Sequence, residues 1–132
     1  MPHLVILYTP NLEARIDMGK LCRSLADTLL TQRDEAGQQI FPTGGTRVLA
    51  YPAAHSAVAD GKHDYGFVYL NLRMGSGRSE AIKKETGRAL MDCAQAFFNP
   101  VFKDHLVGLT LQIDEGVQVF DGKLGNLHPL FQ

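Results

Sequence analysis

Tyr65-Gly66-Phe67-Val68-Tyr69-Leu70-Asn71-Leu72-Arg73-Met74, broken by Gly75-Ser76-Gly77 and followed by a helical pattern from Ser79, decides the fold. Aromatic and branched apolar residues dominate 65–74, which reads as a strand ended by glycines. From Ser79 to Phe98 the apolar residues recur at helical spacing through Ile82, Leu90, Ala94 and Phe97. Leu106 to Ile113 is again strand-like and closes a strand, helix, strand unit. A helix of this kind buries its apolar stripe only by lying on a sheet, and a helical crossover joins parallel strands.

Working outward toward the N-terminus, the same order occurs earlier in the chain. Pro2 to Tyr8 is a short apolar run closed by Thr9-Pro10-Asn11. Leu12, Ile16, Leu21, Leu25 and Leu29 then predict an amphipathic helix over 12–30, with Glu13, Arg15, Lys20, Arg23 and Asp27 on its other faces. Residues 32–45 read as a loop containing Phe41-Pro42, and 46–51 as a second strand. The prediction is an α/β fold of two βαβ units, about 2–51 and 65–113, with two helices packed on a four-stranded sheet. One domain spans 1–132. The tail, 114–132, carries Val117, Val119, Phe120, Leu127, Leu130 and Phe131 and is too apolar for a free end, so it is expected to pack on the sheet or on a neighbour.

Composition narrows the function. The chain has 132 residues, 45% of them hydrophobic and 20% charged, enough for a sizeable core. Thirteen Lys and Arg stand against fourteen Asp and Glu, which gives no global attraction for nucleic acid or an acidic membrane, so any anion must be bound locally. Cys22 and Cys93 lie in apolar-periodic segments without a CxxC pair, as buried, reduced cytosolic thiols do. The N-terminus lacks the basic flank of a signal peptide, and no run approaches the ~20 apolar residues of a membrane span. A soluble cytoplasmic protein is expected. His3, His55, His63, His105 and His128 are scattered without ligand spacing, so no metal is expected.

Four features bear on chemistry. Removal of Met1 would leave Pro2 as a secondary amine at the head of a buried strand; with Met1 retained, that nitrogen is an amide without a basic lone pair. A terminal amine titrates near ~8, and burial lowers it toward the range of a neutral-pH base. Locally, the same proline reads as the start of an edge strand. Gly75-Ser76-Gly77-Arg78-Ser79 places glycines and an arginine before a helix, where backbone N–H groups accept an anion, or it is a glycine turn with Ser79 as N-cap. Arg47 follows Gly44-Gly45-Thr46 at a strand entrance, where its guanidinium can clamp a carboxylate or remain solvated. His63 and Asp64 are neighbours that would point to opposite faces of a strand, and they read as loop residues rather than a dyad.

Taken together, Met1-Pro2-His3, Phe41-Pro42, Gly45-Thr46-Arg47, Ala59-Asp60-Gly61-Lys62-His63-Asp64-Tyr65, Phe67-Val68, Gly75-Ser76-Gly77-Arg78-Ser79 and His128-Pro129-Leu130-Phe131 follow in fixed order. In this the chain resembles, over essentially its whole length, the 5-carboxymethyl-2-hydroxymuconate isomerase family of the tautomerase superfamily. The resemblance implies a tautomerase fold and a homotrimer with sites near Pro2 at subunit boundaries. It implies that Pro2 carries a proton between the enol oxygen and a carbon of a dienol dicarboxylate in aromatic-compound catabolism, with Arg47 and Arg78 holding carboxylates. It implies no cofactor. Many relatives have a second arginine two places after the one matching Arg47, where this chain has Leu49. That departure keeps open a tautomerase of another 2-oxo acid such as an aryl pyruvate, and retention of Met1 would instead leave a noncatalytic trimeric anion-binding module.

Overall fold

A computed structural model describes residues 2–131. Its elements are β1 (His3–Tyr8), α1 (Met18–Leu30), β2 (Arg47–Pro52), β3 (Gly66–Gly75), α2 (Glu80–Phe102) and β4 (Val107–Gly116). They form one four-stranded mixed sheet in the order β2-β1-β3-β4. Each βαβ unit contributes a parallel pair, β1 with β2 and β3 with β4, and the two units join through antiparallel pairing of β1 with β3. The expected α/β architecture of two helices on four strands is the one observed.

Both helices lie on one face of the sheet. Leu4, Ile6 and Tyr8 of β1 and Val68, Leu70, Leu72 and Met74 of β3 form a buried core with Leu21, Leu25, Leu29, Leu90 and Phe98 from the helices. Burying each such side chain is worth roughly 1.5–3 kcal/mol. Among the described residues, no layer covers the opposite face. In β1 and β3 the alternating residues Leu7 and Phe67 are 46% and 36% exposed, and Leu49 and Tyr51 of β2 are 48% and 49% exposed. That is an unusual amount of large apolar surface on one sheet face.

Several expectations change in detail. The first helix begins at Met18 rather than at residue 12, because Pro10 opens a separate 3-10 turn, Pro10–Leu12. Asp17 then caps α1, its side chain accepting from the Lys20 N–H at 3.1 Å. Leu12 and Ile16 are nevertheless buried, so their periodicity reported burial rather than helix. The second helix runs past Phe98 to Phe102, and Ser79 is its N-cap, accepting from the Ile82 N–H at 3.2 Å. Cys22 and Cys93 are half-buried and free rather than fully buried. The tail does not fold over the sheet's apolar surface. Val119, Phe120 and Leu124 are almost wholly exposed, while Asp121 and Lys123 stand over one end of the sheet and a short turn, His128–Phe131, packs on the Thr43–Gly45 turn. Among the described residues no helix is long and apolar enough to cross a membrane.

Candidate active site

The register at one end of the sheet builds the site. Pro2 is buried immediately before β1, so the chain enters the sheet between β2 and β3. His3 pairs with Arg47 on β2 and with Arg73 on β3, which sets the three side chains in one row across the uncovered face. The Arg47 guanidinium lies 3.3 and 3.4 Å from the two ring nitrogens of His3. Burial first, then the charges of Arg47 and Arg73, hold the His3 imidazole below its ordinary pKa of 6.5. His3 is therefore a neutral spacer between two guanidinium groups at pH 7.

A cleft of about 520 Å³ opens over this row. Its walls are His3, Arg47, Arg73 and Gly75 from the sheet and Asp121 and Lys123 from the tail. A second cavity of about 560 Å³ adjoins it, reached past Arg47 and bounded by Gly44, Leu124, Leu127 and His128. Both fall within the size range of small-molecule sites, roughly 300–1,000 Å³. Lys123 is engaged by the Asp121 carboxylate at 2.5 Å. Among the described residues, Arg47 and Arg73 have no carboxylate within 4 Å, although they face this space. The cleft is thus equipped for an anion.

Of the three sequence-predicted residues, Pro2 and Arg47 lie at this end of the sheet, Pro2 buried one residue before the register partner of Arg47 and outside the lining of the cleft. Arg78 lies alongside, beyond the end of β3, but turned another way. Its Nη1 donates to the Gly75 carbonyl at 3.2 Å, and its guanidinium stacks 5.0 Å from the centroid of the fully buried Phe41 ring. Gly77 has φ +110°, a left-handed value that glycine accepts without strain, and this turn aims Arg78 back over Phe41. His63 and Asp64 fall at the opposite end of the sheet in an exposed loop, where Asp64 accepts from the Asn11 side chain at 3.0 Å. No cluster of three or more His, Cys, Asp or Glu able to hold a metal ion occurs among the described residues.

Sequence reasoning missed Arg73 and His3. Arg73 had a local signal, since Tyr69, Asn71 and Arg73 alternate with the buried Leu70, Leu72 and Met74 and so share the uncovered face. Which strand stands opposite that face was not legible locally.

Comparison with known proteins agrees with this geometry. The model of the 5-carboxymethyl-2-hydroxymuconate isomerase family matches residues 2–131. The 5-carboxymethyl-2-hydroxymuconate Delta-isomerase of Escherichia coli is 29% identical over 132 residues, which is the full length of both chains. A crystal structure of a 5-carboxymethyl-2-hydroxymuconate delta-isomerase superposes with a TM-score of 0.96 at 57% identity, covering 100% of this chain and 93% of that one. The 5-carboxymethyl-2-hydroxymuconate isomerase of Deinococcus radiodurans R1 gives 0.87 at 36% identity, covering 99% and 94%. At 18% identity and a TM-score of 0.51, over 98% and 96% of the two chains, a fused 4-OT protein described as a symmetric trimer shares the fold. On a family match across nearly the whole chain and close superposition on two isomerases of that name, this protein belongs to the 5-carboxymethyl-2-hydroxymuconate isomerase family, isomerases built on the tautomerase fold.

Proposed function

We propose that this chain isomerises 5-carboxymethyl-2-hydroxymuconate or a near relative during aromatic-compound catabolism, using Pro2 as the proton carrier once Met1 is removed. The observation that supports it best is the burial of Pro2 at the head of a central strand, next to a row of guanidinium groups, in a member of this family. Burial and the nearby charges of Arg47 and Arg73 both disfavour the protonated amine, so a proline amine there is poised to act as a base near neutral pH. It takes the enol hydroxyl proton, an O–H bond breaks, and the double bonds shift as the carbonyl forms. The proton returns to carbon at the far end of the diene, making a C–H bond. One amine serves both steps, and no cofactor is required. Arg47 and Arg78 hold substrate carboxylates and stabilise the dienolate charge that develops between the two transfers. For Arg78 this means leaving the Gly75 carbonyl, its present acceptor.

We assign the uncovered sheet face to contacts in a homotrimer. Leu7, Leu49, Tyr51 and Phe67 give it the apolar character of a subunit interface, and the fused 4-OT protein of the same fold is a symmetric trimer. The exposed apolar tail fits the same role against a neighbouring subunit. Free, half-buried cysteines fit a reducing cytoplasmic setting. A second reading, tautomerisation of a monocarboxylate enol such as that of an aryl pyruvate, is favoured by Leu49, which carries no charge on the site's face.

The test is ketonisation of 5-carboxymethyl-2-hydroxymuconate by protein whose intact mass shows loss of Met1, with Pro2→Ala alongside. Turnover should fall by at least about 10²-fold in the variant while sedimentation still reports a trimer. Processed protein that turns over only an aryl pyruvate enol establishes the second reading. Protein that binds carboxylates without turning over either enol is an anion-binding module instead.

A further inference from the structure

We propose that Arg73 is a substrate-binding residue that holds one carboxylate of a polycarboxylate enol, opposite Arg47 across His3. This rests on the reading of the cleft as an enol-binding site and deepens it.

5-Carboxymethyl-2-hydroxymuconate carries the two carboxylates of a muconate and a third on its carboxymethyl arm. Arg47 and Arg78 account for two. Leu49 stands on the same face as Arg47 and offers no charge, which leaves the third to another cation facing the cleft.

Arg73 is placed to meet it. It lines the 520 Å³ cleft with His3 and Arg47, and it occupies the same cross-strand row, one strand beyond His3. Two strand spacings separate its backbone from that of Arg47, roughly 10 Å, a span that suits carboxylates at separate ends of a six-carbon diacid.

The surroundings leave Arg73 available. Asp114 is its register partner on β4 and would normally neutralise it. Instead Asn71 occupies that carboxylate, its Nδ2 donating to Asp114 Oδ2 at 2.9 Å. The remaining acid of the cleft, Asp121, is held by Lys123 at 2.5 Å. A cation on the cleft wall, with its register-partner acid and the acid of the cleft both otherwise engaged, is held ready for an external anion. Neutral His3 between the arginines relieves the repulsion that three adjacent cations would create.

The experiment compares processed wild type, Arg73→Ala, Arg73→Gln and Arg73→Lys on 5-carboxymethyl-2-hydroxymuconate and on phenylenolpyruvate, which has one carboxylate. Arg73→Ala and Arg73→Gln should raise KM for the tricarboxylate on the order of 10- to 100-fold and leave KM for phenylenolpyruvate within about threefold, while any change in kcat, which reports the loss of a charge near the Pro2 amine, should be the same on both substrates. Arg73→Lys should recover part of the loss. Unchanged KM for the tricarboxylate in both neutral variants, or an equal rise in KM for both substrates, overturns the proposal. A parallel calorimetric titration with propane-1,2,3-tricarboxylate separates this from failure of the isomerase reading. If wild type turns over neither enol, that reading falls, yet weaker tricarboxylate binding in the neutral variants still assigns the anion site to Arg73, and equal binding removes it.

Discussion

Phe41 and Arg78 should be energetically coupled, and a double-mutant cycle measures by how much. The Phe41 ring is fully buried, while the guanidinium over it, 5.0 Å from the ring centroid, is only half-buried. Cation–π pairs are worth about 0.5–1 kcal/mol when exposed and about 2 when desolvated, so a half-buried pair should contribute about 1 kcal/mol. Phe41→Leu keeps most of the buried volume and should cost about 1–2.5 kcal/mol, the lost pair plus a repacking cost below about 1.5. Arg78→Met keeps the aliphatic stem and should cost about 1.5–2.5 kcal/mol, the same pair plus about 0.5–1.5 for the hydrogen bond to the Gly75 carbonyl. The double variant should then be more stable than the sum of the singles implies by about 1 kcal/mol, roughly fivefold in the folding equilibrium. Urea unfolding of all four proteins by circular dichroism, at one fixed protomer concentration, supplies the free energies. A coupling within about 0.3 kcal/mol of zero would refute the claim that Phe41 positions Arg78.

Three further outcomes are expected. Gly66→Ala would bring a Cβ to 2.8 Å from Cδ2 of the fully buried Leu12, so thermal melting should show a loss of about 1–3 kcal/mol, and an unchanged Tm would show that Leu12 can move aside. Leu7→Lys puts a charge at the centre of the uncovered face, between Tyr51 and Tyr69, and should yield monomer in sedimentation; a persisting trimer would exclude this face as the interface. Because His3 has its pKa lowered in the folded chain, the unfolded chain takes up the proton first as pH falls through about 6.5. Stability should therefore decline on acidification through that window and level off below the folded pKa. His3→Gln should flatten the decline in denaturation curves from pH 7.5 to 5, and an unaltered slope would remove His3 as its source.

Legibility of the site differed from residue to residue. Pro2, Arg47 and Arg78 stand out because each sits at the boundary of an element, where strand entry and glycine turns leave a trace in local sequence. Their shared location was not legible, and Arg78 in particular faces Phe41 and the Gly75 carbonyl rather than the open row. Arg73 lies unmarked near the end of the strand-like run 65–74. Its meaning depends on His3 opposite it and on Asn71 occupying Asp114, contacts between distant parts of the chain. The periodic Leu12 and Ile16 misplaced the start of α1, because burial imposes the same pattern on a 3-10 turn and the loop after it as on a helix.

By itself the sequence determined the element types, their order and the two-layer architecture. Those properties follow from side-chain periodicity and from glycine, proline and capping chemistry, which act over a few neighbouring residues. Only the tertiary structure decided that β1 lies between β2 and β3, that the two units meet antiparallel, and that one sheet face stays uncovered. The register of β1 against strands from both units then sets Arg47, His3 and Arg73 in a single row beside Pro2. Strand pairing is a long-range choice settled by the packing of the whole core, and a shift of one residue would send each of those side chains to the other face.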